Sequence, residues 1–157
     1  MTPEALRIAA EDLMIEYADR IDSDRLEDWL DLFTEDAVYQ VMPRENFDRN
    51  LPASLWLCTN KNQIRDRVLS LRNANEYNLH YDRHLISNIR IRPGAGGILG
   101  LEANYAVFQT DLEGRSRLFS VGRYRDEVRE EGGALLIGKK LIIVDSFSVP
   151  TLLATPL

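Results

Sequence analysis

Residues 80–91 read His80-Tyr81-Asp82-Arg83-His84-Leu85-Ile86-Ser87-Asn88-Ile89-Arg90-Ile91, and here the chain turns from helical spacing to two-residue alternation. Both histidines of the 157-residue chain lie in this stretch. Any imidazole chemistry must come from it. Standing four apart, His80 and His84 share one face of a strand or of a helix, which is the spacing of a metal pair or an acid–base pair.

Downstream of this stretch, residues 84–92, 98–110, 115–129 and 134–148 predict four strands, separated by Pro93-Gly94, Glu113-Gly114 and Glu131-Gly132-Gly133. Leu99, Leu101, Ala103, Tyr105 and Val107 alternate with Glu102, Asn104 and Phe108, so one face is apolar and the other mixed. Upstream, residues 3–20 predict a helix with Leu6, Ala9, Leu13 and Tyr17 on its buried face, Thr2 as N-cap and Pro3 in the first turn. A second, short helix is expected from Asp24 to Phe33, opened by Asp22 or Ser23 and carrying Leu26, Trp29, Leu30 and Phe33. Ala37–Val41 reads as a strand, and residues 43–58, which have no period, as a loop. A third helix spans Lys61–Arg72, capped by Thr59 or Asn60, ended by Asn73-Ala74-Asn75, with Ile64, Val68 and Leu71 inward. Helices first and strands after, without βαβ alternation, give one α+β domain over residues 1–157. Its N-terminal helices pack on a strongly curved, mixed and mainly antiparallel sheet, which makes a cone with a pocket inside.

An apolar content of 45% supports a single core, and the formal charge of -6, without a basic block, argues against nucleic acid. No apolar run approaches the roughly 20 residues that span a bilayer, and the first twenty residues are amphipathic and acidic. A cytoplasmic protein without membrane contact is expected. Cys58 is alone and excludes an internal disulfide; among Leu55, Trp56 and Leu57 it reads as a small buried side chain. Gly94-Ala95-Gly96-Gly97 follows Pro93 and precedes a strand, so it is a loop and not a phosphate-binding fingerprint.

Arg83-His84-Leu85-Ile86-Ser87-Asn88 resembles the arginine–histidine–apolar–apolar–hydroxyl–asparagine signature of the small (β) subunits of aromatic-ring-hydroxylating Rieske non-haem iron dioxygenases. These subunits are NTF2-like cones, and scytalone dehydratase-like and SnoaL-like proteins share the signature. Phe119-Ser120-Val121-Gly122-Arg123-Tyr124-Arg125-Asp126-Glu127-Val128 resembles that family's penultimate strand, and Ile142-Ile143-Val144-Asp145-Ser146 its last. Lys140 departs from the pattern, which has arginine there. Pro43-Arg44-Glu45-Asn46-Phe47 and Ile64-Arg65-Asp66-Arg67-Val68 are similar to salicylate 5-hydroxylase small subunits, and Thr151-Leu152-Leu153-Ala154-Thr155-Pro156-Leu157 to the terephthalate dioxygenase tail. The resemblance implies a non-catalytic structural subunit of an oxygenase that hydroxylates an aromatic acid. It implies a trimer within an α3β3 hexamer, whose large (α) subunit carries a [2Fe-2S] Rieske cluster and mononuclear Fe(II) and takes electrons from NADH through a reductase. One cysteine and two histidines agree, since they cannot ligate both centres.

On this reading the chain holds no catalytic, cofactor or metal residue, and the candidate subunit interface is Arg44, Phe47, Trp56, His80, Arg123 and Arg125. Residues 44–56 either cover the domain's own core or dock a partner through aromatic and arginine anchors. Even spacing predicts Arg115, Arg117, Arg123 and Arg125 on one face. The alternative is a free-standing pocket dehydratase or isomerase, with His84 as base beside Asp36 while Tyr17 and Tyr39 polarise a carbonyl. A third reading is a ligand-binding or self-associating cone without chemistry. A filled cone favours the subunit, because catalysis needs room for substrate.

Overall fold

The computed structural model describes residues 1–74, 79–145 and 155–157. Helix α1 (Pro3–Asp22) begins where Thr2 Oγ1 accepts the Ala5 N–H at 3.2 Å, with Pro3 in its first turn. It buries Ala10, Leu13, Met14, Tyr17 and Ile21. Helix α2 (Leu26–Trp29) and a 3-10 turn (Leu30–Leu32) follow. The expected cap at Asp22 or Ser23 does not form: Asp22 is the last residue of α1, Ser23 closes that helix, and Arg25 precedes α2 without a side-chain cap. The Asp22 carboxylate is turned toward the sheet instead, where it accepts the backbone N–H of His84.

Strand β1 (Phe33–Pro43) is longer than the Ala37–Val41 core that propensity marks. The expected loop over residues 43–58 is replaced by helix α3 (Arg44–Asp48) and strand β2 (Trp56–Cys58). Three residues carry no detectable period, and β2 exists because its backbone pairs with β1 at Val41↔Trp56 and Tyr39↔Cys58. Helix α4 (Lys61–Ala74) is capped by Asn60, whose Oδ1 accepts the Gln63 N–H at 3.0 Å, and it buries Ile64, Val68 and Leu71. Asn75, in its expected C-terminal signal, lies outside the described residues.

Strands β3 (His80–Pro93), β4 (Leu99–Asp111), β5 (Ser116–Glu131) and β6 (Ala134–Val144) form the expected antiparallel meander. Residues 146–148 of the fourth predicted strand lie outside the described residues. The sheet order is β2-β1-β6-β5-β4-β3, with β1 and β6 parallel. Helix α1 packs mainly against β3, and α4 against β1.

Two register shifts decide which side chains face outward. In β3 the register slips between Ser87 and Arg90, and Asn88, at φ 57°, is the extra residue. Ile89 and Ile91 then turn inward against the core, and Arg90 and Arg92 outward. In β5, Val107 pairs with Ser120 but Phe108 with Leu118, so Phe119 and Ser120 are both buried. The four arginines therefore do not share a face. Arg117 reaches Gln109 at 3.3 Å on the helix-covered side, whereas Arg123 and Arg125 project from the outer face. No glycine or proline marks this bulge, so even spacing misled there.

Candidate functional site: the closed cone

The cone is packed with rings from both layers. Tyr17 meets Trp29 and Tyr124 at 5.9 Å each, Trp29 meets Phe33 at 4.7 Å, and Tyr105 stacks on Tyr124 at 4.7 Å. The mouth is closed by Thr155–Leu157. Tyr17 donates its hydroxyl to the Leu157 carbonyl at 2.5 Å, and the Leu157 N–H donates to the Tyr39 oxygen at 3.1 Å. Thr155 Oγ1 donates to Asp82 Oδ2 at 2.8 Å. Between Trp29, Trp56, Ile64, Arg67 and Pro156 the free space is about 10 Å³. That is about the room that a single water needs by the same measure. No substrate fits there.

Under the tyrosines lies an ion pair without solvent exposure: Lys140 Nζ stands 2.7 Å from Asp126 Oδ2, and the Leu141 N–H donates to Oδ1 at 3.2 Å. The ammonium also sits over the Tyr124 ring at 3.3 Å and the Tyr17 ring at 4.2 Å. Burial pulls the Lys140 ammonium down to about 8 and pushes the Asp126 carboxyl up, and the mutual attraction opposes both shifts. Burial likewise raises the phenols of Tyr17, Tyr39 and Tyr124. Lysine where the resemblance has arginine leaves one charged hydrogen bond in place of a fork.

The catalytic set of the alternative reading is not assembled. His84 Nδ1 lies 2.6 Å from Asp22 Oδ1, its backbone N–H donates to Asp22 Oδ2 at 2.8 Å, and its ring is fully enclosed. The partner carboxylate is therefore Asp22 and not Asp36. Asp36 is exposed, held by Thr34 and Arg129; the Thr34 hydroxyl first, then Arg129, keeps its carboxyl low. Tyr17 and Tyr39 spend their polar atoms on Leu157. The His84 Nε2 is buried and has no hydrogen-bond partner among the described residues.

The interface candidates divide into two groups. Arg44 pairs with Asp145 at 3.5 Å, while Phe47, packed on Met42, Leu141 and Ile143, lies under the guanidinium groups of Arg123 at 5.6 Å and Arg125 at 5.5 Å. Phe47, Arg123 and Arg125 meet on the outer face. Trp56 does not join them; it is 6% exposed, stacked under Arg67 at 4.5 Å and against Tyr39 at 5.2 Å, so it is core and not a docking anchor. His80, at the head of β3, has Nε2 3.3 Å from Asp82 Oδ1 and from Gln109 Nε2.

Sequence reasoning missed Asp22, Asp126 and Leu157. Asp126 had a signal: it alternates with Tyr124 and Val128, both buried. Asp22 and Leu157 had none, since their partners stand 62 and 140 residues away.

The described residues do not fit an iron centre. Among the described residues no three His, Cys, Asp or Glu side chains gather to hold a metal, and buried Cys58 Sγ accepts the Trp56 Nε1–H at 3.2 Å. A helix-backed sheet closed on its own aromatic and tyrosine-bound interior defines the class: an NTF2-like cone domain. Within that class, the family model described as ring hydroxylating beta subunit matches residues 17–151, and the chain belongs to this family of dioxygenase subunits. It is 43% identical over 141 residues to the anthranilate 1,2-dioxygenase small subunit of Burkholderia cepacia, covering 90% of this chain and 88% of that one. It is 31% identical to the terephthalate 1,2-dioxygenase terminal oxygenase component subunit beta 2 of Comamonas sp, covering 90% and 92%. The crystal structure of a β subunit assigned to an aromatic-ring-hydroxylating dioxygenase of Novosphingobium aromaticivorans superposes with a TM-score of 0.90, at 38% identity over 100% of both chains. The chain is thus a small-subunit component of a ring-hydroxylating oxidoreductase.

Proposed function

We propose that this chain is the non-catalytic, structural subunit of a Rieske non-haem iron oxygenase that hydroxylates an aromatic carboxylate in the cytoplasm during aromatic compound catabolism. It self-associates as a trimer and holds three large subunits in an α3β3 hexamer. The large subunit carries the [2Fe-2S] cluster and the mononuclear Fe(II), with NADH as electron source through a reductase. The observation that carries the structural role is the filled cone: Leu157 takes the hydrogen-bonding capacity of Tyr17 and Tyr39, the two groups that a pocket enzyme would turn on its substrate. Anthranilate and terephthalate, named for two relatives, are both aromatic carboxylates and support that substrate class.

The test is affinity purification of the tagged chain from its host grown on an aromatic acid, with mass spectrometry of co-eluting chains and a visible spectrum. A larger chain with iron–sulphur absorbance is expected. A colourless protein without a larger chain, whose isolated form turns over a hydroxylated aromatic and loses that activity in His84→Gln, would overturn the reading.

A further inference from the structure

We propose that the outer face of the sheet seats helix α1 of a second copy of this chain, an inference that rests on the self-association proposed above. Both register shifts deliver arginine to this face. The Asn88 bulge turns Arg90 outward, and the Phe119–Ser120 bulge leaves Arg123 and Arg125 there. With Glu102 and Asn104 they border a depression of about 240 Å³. Phe47 supports two of the three guanidinium groups from below, which fixes their planes before any partner arrives.

Most arginines away from this face are paired. Arg7 pairs with Glu4 and Glu11, Arg20 with Glu16, Arg49 with Glu45, and Arg72 with Asp24 and Glu27. Arg83, Arg90, Arg92 and Arg125 have no carboxylate within 4.0 Å among the described residues. Glu102 and Glu127 share this face and Arg123 reaches Asp48 at 4.0 Å, yet these four guanidinium groups stay without an ion-pair partner there.

Beside the arginines lies an apolar patch on the solvent side of an antiparallel sheet. Leu85 is 54% exposed, Phe108 36%, Leu118 52% and Val121 38%. The β5 bulge sets Leu118 opposite Phe108 and Val121 opposite Ala106, so they are contiguous. Exposed apolar groups so arranged mark contact surfaces.

The complement is on the same chain. Helix α1 exposes Ile8 and Ile15, two turns apart on the side away from its buried residues. Asp12 and Asp19 share that side and have no cation within 4.0 Å among the described residues. An apolar ridge flanked by unpaired carboxylates thus matches an apolar patch flanked by unpaired guanidinium groups. Pairing the outer face with itself would bring its excess of arginines together. The contact therefore joins two different patches head to tail, which is the contact type a cyclic trimer uses.

The test is light scattering after size exclusion on the full chain, with thermal melting as the control for folding. Arg90→Glu/Arg125→Glu and Asp12→Arg/Asp19→Arg are each expected to weaken self-association more than about tenfold while melting as wild type does. The chain carrying all four changes is expected to recover it, because both patches then have reversed charge. Unchanged self-association in either two-site variant, or no recovery in the four-site chain, overturns the seat for α1. Loss of the large subunit from an intact oligomer overturns it as well and puts the large subunit on this face, leaving the subunit reading in place. A wild-type chain that neither self-associates nor brings down a larger chain refutes the subunit reading together with it.

Discussion

Lys140 and Asp126 show what a buried charge costs and what it is good for. Each is fully enclosed, and each is tolerable only because the other is 2.7 Å away. Lys140→Met leaves the Asp126 carboxylate alone in the core and is expected to cost about 3–5 kcal/mol in urea denaturation, while Lys140→Met with Asp126→Leu recovers most of that loss. The pair also makes stability depend on pH. Below about 8 the folded and unfolded chains both hold the Lys140 proton; from about 8 toward its ordinary 10.5 only the unfolded chain does. Stability of the wild type relative to the double variant is therefore expected to rise across this window, and a difference that stays flat would mean that Lys140 keeps its ordinary affinity for protons. Gly122 is a second residue set by its neighbours: a Cβ there would stand 2.0 Å from the Ile143 carbonyl oxygen. Gly122→Ala must push β5 from β6, with an expected loss of about 3 kcal/mol in the same assay, at the upper end of overpacking costs.

Among the elements, α1, α4 and the meander were legible in the sequence, because each repeats its apolar residues for at least three turns or five alternations. Strand β2 and helix α3 were not, being three and five residues long. Asp22 illustrates the limit well. At a helix end, preceding a second helix, it satisfies every rule for an N-cap, yet it is used as a latch that ties the end of α1 to His84 of β3. Asp22→Asn weakens two hydrogen bonds of a buried group and is expected to cost about 1–3 kcal/mol. The check is amide hydrogen exchange: the His84 amide and the last turn of α1 should exchange faster, with β5 and β6 unchanged. A uniform increase would mean that the latch stabilises the whole domain and not this one junction.

For the molecule as a whole, the closed mouth matters most, because it separates a subunit from a pocket enzyme of the same architecture. Leu157 is 1% exposed and bound at both its N–H and its carbonyl. Leu157→Ala removes side-chain packing and keeps those bonds, and should cost about 2–5 kcal/mol without opening the mouth to solvent. Melting temperature reports the cost, and unchanged tyrosine fluorescence quenching by iodide would confirm that the mouth stays shut. By itself the sequence determined the α+β class, the order of the long elements, the apolar face of each and the family, since these are local or nearly local properties of pattern and spacing. Tertiary structure alone decided that His84 partners Asp22, that Trp56 is core, that two bulges sort the arginines between faces, and that Thr155–Leu157 fill the cone. Those outcomes depend on residues tens to more than a hundred positions apart meeting in space, and on single extra residues in a strand, neither of which leaves a period to read.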